Sequence, residues 1–263
     1  MPFTPAHAAA AFPFRRSRLV WSALIIGTIA PDLEYFLRLA PGQPYGHTLP
    51  GVFVVTLPLA LVTLWLFHSF VKAPFIELLP RGLECRLARY AGKFHFGGAA
   101  RFGLIVASVL TGALTHLAWD SFTHGNTWLV RDWPALRHPI HLRFLGDAPL
   151  YKLLQYGSTL FGLAVLAVWI AAWYRSAKPF SPQTAPTEST WPLQKIMTLL
   201  AIAIIALAAG IAYAVSAAGV PKGRPSMSSF VAPLVVTAMA VAWWQLVLLG
   251  IWRSRRKKSA VVC

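Results

Sequence analysis

The chain has 263 residues, 57% of them hydrophobic and 12% charged, with a mean hydropathy of +0.58. That composition excludes an ordinary soluble domain and points to an integral membrane protein. The 24 Lys and Arg against 8 Asp and Glu give a net charge of +16, but the basic residues sit mainly between apolar runs. Membrane topology therefore explains them better than nucleic-acid binding, and no nucleic-acid partner is expected.

Residues 1–18 hold His7 in an alanine-rich run, with Thr4 and Pro5 read as helix N-cap and first helical position. Pro13 ends the run, and Arg15, Arg16 and Arg18 follow. This basic cluster comes late for a secretory leader and no small-residue cleavage motif follows it, so the first apolar segment is expected to be retained. Segment 19–39, LVWSALIIGTIAPDLEYFLRL, is just long enough to span, since about 20 residues are needed. A half-buried or broken helix is the equal alternative. Pro31 can kink or break the segment and free a backbone carbonyl, and Asp32 and Glu34 come directly after it.

A turn-rich connector, 41–51, holds His47, and 51–71 is a clean span with His68 snorkelling near its far end. A basic loop over 72–101 leads to a span at 102–122. A polar loop with His138 and His141 leads to another at 153–174. Residues 175–195 read as a cytoplasmic linker, and 196–218 with 230–252 as a hairpin of spans ending in a basic tail. The expected protein is all-α: a polytopic helical membrane protein with about six transmembrane helices. Its parts are a membrane-embedded core with a metal site (1–174), the linker (175–195) and a C-terminal transmembrane hairpin (196–263). Cys85 and Cys263 suggest neither a zinc cluster nor a disulfide. With 17 Lys and Arg in the segments assigned inside, the positive-inside rule places both termini in the cytoplasm of a bacterial cell. The same orientation brings Asp32, Glu34, His47, Asp120 and His124 to the outer side.

The chemistry concentrates in TGALTHLAWDSFTH, where His116, Asp120 and His124 recur at steps of four. On an α-helix that spacing makes one stripe, and polar groups inside a bilayer need a compensating partner. His and carboxylate are ligands for zinc and similar divalent ions. His116 and Asp120 can share one ion. His124 lies about 12 Å from His116 along a straight helix, so it binds a second ion, leaves the helix near Gly125, or acts as an acid–base group. Asp32 and His47 are the remaining ligand candidates, with Glu34 as general base or outer partner. His7 reaches the site only if residues 1–18 fold back into the membrane or 19–39 is not a full span. Lys152 and Gln155, at the outer start of a span, are either interfacial anchors or a face that meets an anionic group of the ligand. The chain has no Walker loop, no nucleophile elbow, no Rossmann glycine pattern and no HExxH.

The segments around His7, APDLEY, YGHTLPG and GALTHLAWDSFTH resemble the membrane-bound metal-dependent hydrolase families of bacteria, which include a LexA-regulated prophage membrane protein. More distantly, the arrangement is similar to zinc-dependent phospholipase C. The closer resemblance is to a family of multi-span bacterial proteins, domain-of-unknown-function family 4184. It runs through PLYKLLQYGSTLFG and so covers residues 1 to about 174. The resemblance implies His7, Asp32, His47, His116 and Asp120 as metal ligands. Glu34 stands where an Asp is usual, and the connector carries a single His.

These observations lead to an expected membrane-embedded metal-dependent hydrolase with zinc as the first choice of cofactor. It acts on a phosphoester or ester at the outer face, with the lipid bilayer as its partner. Two alternatives stand beside it: a non-catalytic membrane protein with a structural metal or polar cluster, and a transporter.

Overall fold

The computed structural model describes residues 3–39, 45–142, 146–179, 192–218 and 227–256. After an N-terminal 3-10 segment (Thr4–Phe14) come α1 (Trp21–Ile29), α2 (Glu34–Arg38), α3 (Leu49–Leu78), α4 (Arg81–Leu87) and α5 (Ala99–Thr123). Then follow α6 (Trp128–Asp132), α7 (Pro134–Arg137), strands β1 (Pro139–Leu142) and β2 (Gly146–Pro149), α8 (Leu150–Ser176), α9 (Leu193–Ala218) and α10 (Met227–Arg255). The two strands form an antiparallel hairpin, with His141 paired to Asp147 at 2.7 Å.

Five segments are long and apolar enough to cross a membrane: Leu49–Leu78, Ala99–Asp132, Leu150–Ser176, Leu193–Ala217 and Phe230–Arg255. The chain is a polytopic helical membrane protein. Of the two readings of segment 19–39, a full span and a broken helix, the broken helix is the one observed. It comprises nine residues of α1, a 3-10 turn over Ala30–Asp32 and five residues of α2. Pro31 is the cause, because it lacks an N–H and its ring clashes with the carbonyl four residues back. Most of the linker (180–191), the loop between α9 and α10 (219–226) and the tail beyond 256 lie outside the described residues.

The chain forms two compact units. The first comprises Met1–Leu33, Tyr45–Leu64 and Phe96–Trp173. Its centre is α5, whose buried residues (Ile105, Ser108, Val109, Gly112, Ala113, His116, Asp120 and Thr123) fall at the three-and-four spacing of one helical face. Against that face α1 runs in the same direction. The Val20 N–H, one of the unpaired donors at the start of α1, donates to Ser108 Oγ at 2.8 Å, and Thr28 meets His116 further on. Contact is close because Gly27 faces the Val109 backbone and Gly112 faces that of Leu24, Gly27 and Thr28. The 3-10 segment runs antiparallel to α1 along α8. Phe3 lies at Thr159, Ala6 at Gly162, and Phe12 and Trp21 both at Trp169. Residues 4–32 are thus a hairpin with His7 and Asp32 side by side at its open end and the exposed Arg15, Arg16 and Arg18 at its turn.

The second unit comprises Glu34–Pro44, Trp65–His95 and Tyr174–Cys263. In it α9 and α10 pack together, with Gly210 against the Leu234 carbonyl and Gln245 donating to Ile202 O at 3.2 Å. The hairpin is built into this unit. Trp244 Nε1 donates to Phe36 O at 2.9 Å, Gly250 abuts the Phe70 carbonyl, and Arg253 pairs with Glu77. Lys195 pairs with the buried Glu84 at 2.5 Å. His68 stacks on Phe94, with ring centroids 4.0 Å apart.

Candidate metal centre

Six of the side chains singled out from sequence meet in the first unit. The break at Pro31 aims Asp32 from the end of α1. A 3-10 turn over Tyr45–His47 presents His47, and Thr56 of α3 ties that turn down by donating to Gly46 O at 3.3 Å. The final turns of α5 present His116 and Asp120 one turn apart, with Nε2 and Oδ2 separated by 3.2 Å.

Where the α1 ladder changes pitch, the Thr28 carbonyl accepts from His116 Nδ1 at 2.8 Å. The Nδ1 proton is thereby fixed, and Nε2 carries the free lone pair. That nitrogen lies 3.2 Å from His47 Nε2 and 3.8 Å from Asp32 Oδ1. His47 Nε2 is 3.3 Å from Asp32 Oδ1 and 3.3 Å from Asp120 Oδ2. Tetrahedral ligands bound at roughly 2.0–2.1 Å to zinc stand roughly 3.3–3.4 Å apart. Four of these five separations therefore fall close to the spacing of a tetrahedral ion's ligands, and the fifth, from His116 Nε2 to Asp32 Oδ1, is longer.

The other Asp120 oxygen, Oδ1, faces His7 Nε2 at 3.4 Å and His124 Nδ1 at 3.5 Å. His124 reaches it because α5 ends at Thr123 and His124 is already extended, with φ −120° and ψ 127°. Of the three readings left open by the spacing, its departure from the helix is the one observed. His7 stacks on His116 with ring centroids 4.0 Å apart and meets the edge of Trp119.

The cluster is buried and short of hydrogen-bond donors. His116 is 0%, His7 1% and Asp32 1% exposed. Asp32 Oδ1, Asp120 Oδ1 and both ring nitrogens of His7 are buried without a hydrogen-bond partner. Side-chain exposure of 23% at His47 and 18% at His124 makes these two the open side of the cluster. Burial, reinforced by the neighbouring His116, pushes the His7 pKa down to about 4, so its ring is neutral and available as a ligand. Burial also opposes charge on His47, but Asp120 and Asp32 outweigh it and hold its pKa up at about 9.

The remaining predicted residues make other described contacts. Glu34 pairs with Arg38 at 3.2 Å and belongs to the second unit. Lys152 is exposed and Gln155 half-buried, and the Gln155 backbone carbonyl accepts from Thr159 at 2.8 Å. Neither side chain joins the His/Asp cluster among the described contacts. One residue that touches the cluster escaped the sequence reading. Thr4 is not the N-cap, a position that Phe3 holds; its hydroxyl meets Asp32 Oδ2 at 2.6 Å. The only hint was its distance of three residues from His7.

Fold and site together define a polytopic helical membrane protein with a buried, mixed His/Asp cluster at one end of its central helix. The chain belongs to the family described as Domain of unknown function (DUF4184), whose model matches residues 1–251. The match takes in the α9–α10 hairpin as well as the preceding helices. No curated protein and no solved structure matches the chain.

Proposed function

We propose that the cluster binds a divalent cation, zinc before others, and that the protein is a membrane-embedded hydrolase acting on a phosphoester or ester of a lipid. The observation that carries the reading is the convergence of Asp32 Oδ1, His47 Nε2, His116 Nε2 and Asp120 Oδ2, with Asp32 Oδ1 buried and without a hydrogen-bond partner. A cation neutralises and coordinates such a group, whereas leaving it unpaired is costly. Mixed nitrogen and oxygen ligands favour zinc-like ions over calcium, which takes oxygen alone.

Four protein ligands by themselves make a closed, structural site; catalysis needs an open position. The half-site of His7, Asp120 Oδ1 and His124 supplies one, because three donors leave a fourth position free and His124 is partly exposed. His7, Asp120 and His124 would hold an ion there, and the chemistry it would supply is activation of water by a lowered pKa. The second reading, a purely structural metal, is favoured by the closed set of four.

Orientation supports an outer-face substrate. Read as five crossings with the basic C-terminal segment inside, the chain would have everything before Leu49, and the end of α5, on the outer side of a bacterial cytoplasmic membrane. The 4–32 hairpin then enters from that side and returns to it. Its second arm, Trp21–Asp32, rises about 18 Å, short of the hydrocarbon core of about 30 Å.

The test is metal analysis of the purified protein together with a panel of lipid phosphoesters and esters. Stoichiometric zinc that disappears in the His116→Ala/Asp120→Ala variant, with hydrolysis that is lost on chelation and restored by zinc, supports the proposal. Metal without activity, in a protein whose double variant fails to accumulate, favours the structural reading. Wild-type protein without metal, or a double variant that retains it, overturns both.

A further inference from the structure

Resting on the metal reading above, we propose that Thr4 is a positioning residue that turns the Asp32 carboxylate so that Oδ1 faces the cation. Thr4 Oγ1 stands 2.6 Å from Asp32 Oδ2. An ionised carboxylate only accepts, so the hydroxyl donates, and this length is typical of a hydrogen bond to a charged oxygen. Asp32 Oδ1 is left buried without a hydrogen-bond partner, 3.3 Å from His47 Nε2 and 3.8 Å from His116 Nε2. With one oxygen tied, the carboxylate cannot rotate about its Cβ–Cγ bond and carry the other away from the histidines.

The local geometry explains why a residue so early in the chain does this. In a 3-10 helix residues i and i+3 eclipse each other. Thr4 and His7 therefore project from the same side of the Thr4–Phe14 segment, one to Asp32 and the other to Asp120. On an α-helix the two would diverge by about 60°. One short element thus holds an outer partner of one carboxylate and an imidazole for the other. Phe3 holds the N-cap position, so Thr4 lies inside the segment and its hydroxyl donates to Asp32.

The competing role is mechanical, with Thr4 merely pinning the segment to α1. Zinc affinity and apo-protein melting temperature, measured on the full chain in detergent for wild type, Thr4→Val and Thr4→Ser, separate the two. Valine keeps the shape and loses the donor; serine keeps the donor and loses the methyl. Loss of an outer partner lowers metal affinity by about 10–100-fold. That loss is expected in Thr4→Val, with Thr4→Ser close to wild type and the apo melting temperatures of all three alike. Thr4→Val binding zinc as wild type does, or both variants weakened equally, overturns the positioning role while leaving the metal centre intact. Thr4→Val that melts early but binds normally shows a mechanical pin and overturns it too. Wild type that binds no zinc removes the metal reading itself, and this inference with it.

Discussion

Replacing Gly112 with alanine tests whether the docking of α1 on α5 sets the cluster's geometry. A Cβ at position 112 would lie 2.6 Å from the Thr28 nitrogen, 2.7 Å from the Gly27 carbonyl carbon, and nearer still to the Leu24 carbonyl oxygen. All three are backbone atoms, so no side-chain rotation relieves the clash. Reaching an ordinary contact of 3.4 Å from Thr28 N, now 2.6 Å away, requires α1 to withdraw by at least about 0.8 Å, and the nearer Leu24 oxygen requires more. That movement carries both the Thr28 carbonyl, now 2.8 Å from His116 Nδ1, and Asp32. A functional constellation tolerates about 0.5 Å, so the variant exceeds it. Overpacking of this kind costs about 1–3 kcal/mol. We expect Gly112→Ala to lower the melting temperature and to weaken zinc binding by about tenfold or more, the scale of a lost outer partner. Gly103→Ala on the same helix is the control, since nothing lies within 4 Å of its Cβ. Competition with a chromophoric chelator reads the affinity. If Gly112→Ala and Gly103→Ala both match wild type in zinc affinity and melting, close packing of α1 does not position the site.

Two further outcomes follow from the same structure. The pKa of His47 is held at about 9 by Asp120 and Asp32, so at pH 7.5 its ring is protonated in the metal-free protein and must lose that proton to bind zinc. Calorimetry in buffers of different ionisation enthalpy should show about one proton released per zinc from this residue, and affinity should rise with pH until about 9 and then level; affinity independent of pH between 6.5 and 9 contradicts the assignment. Truncation–reporter fusions after Trp133 and after Lys178 should report outside and inside respectively, and a tag preceding Thr4 should be accessible from outside. An N-terminal tag on the same side as the C-terminus would restore an even number of crossings.

Local pattern was enough for much of this protein. Apolar runs of sufficient length identified the five long spans, because hydropathy and rise per residue are properties of a segment alone. The pairing of His116 with Asp120 was legible for the same reason: four residues make one turn whatever surrounds the helix. Pro31 announced a break and a carbonyl put to other use, and the Thr28 carbonyl on His116 is that use. Hydropathy does not record whether an apolar segment is one helix or two short pieces, however, so 19–39 read as a candidate sixth span. Residues 4–32 form a hairpin that turns at Arg15–Arg18, which brings His7 to the cluster from a segment that simple alternation of spans had put on the opposite side. His124 likewise joins through the end of α5 rather than through its periodicity, and Glu34 turns to Arg38. The approach of Thr4 to Asp32 and of His7 to Asp120 was decided by tertiary structure. These pairs lie 28 and 113 residues apart in the chain, and what closes the distance is glycine-lined backbone packing between helices, which no single segment's pattern encodes.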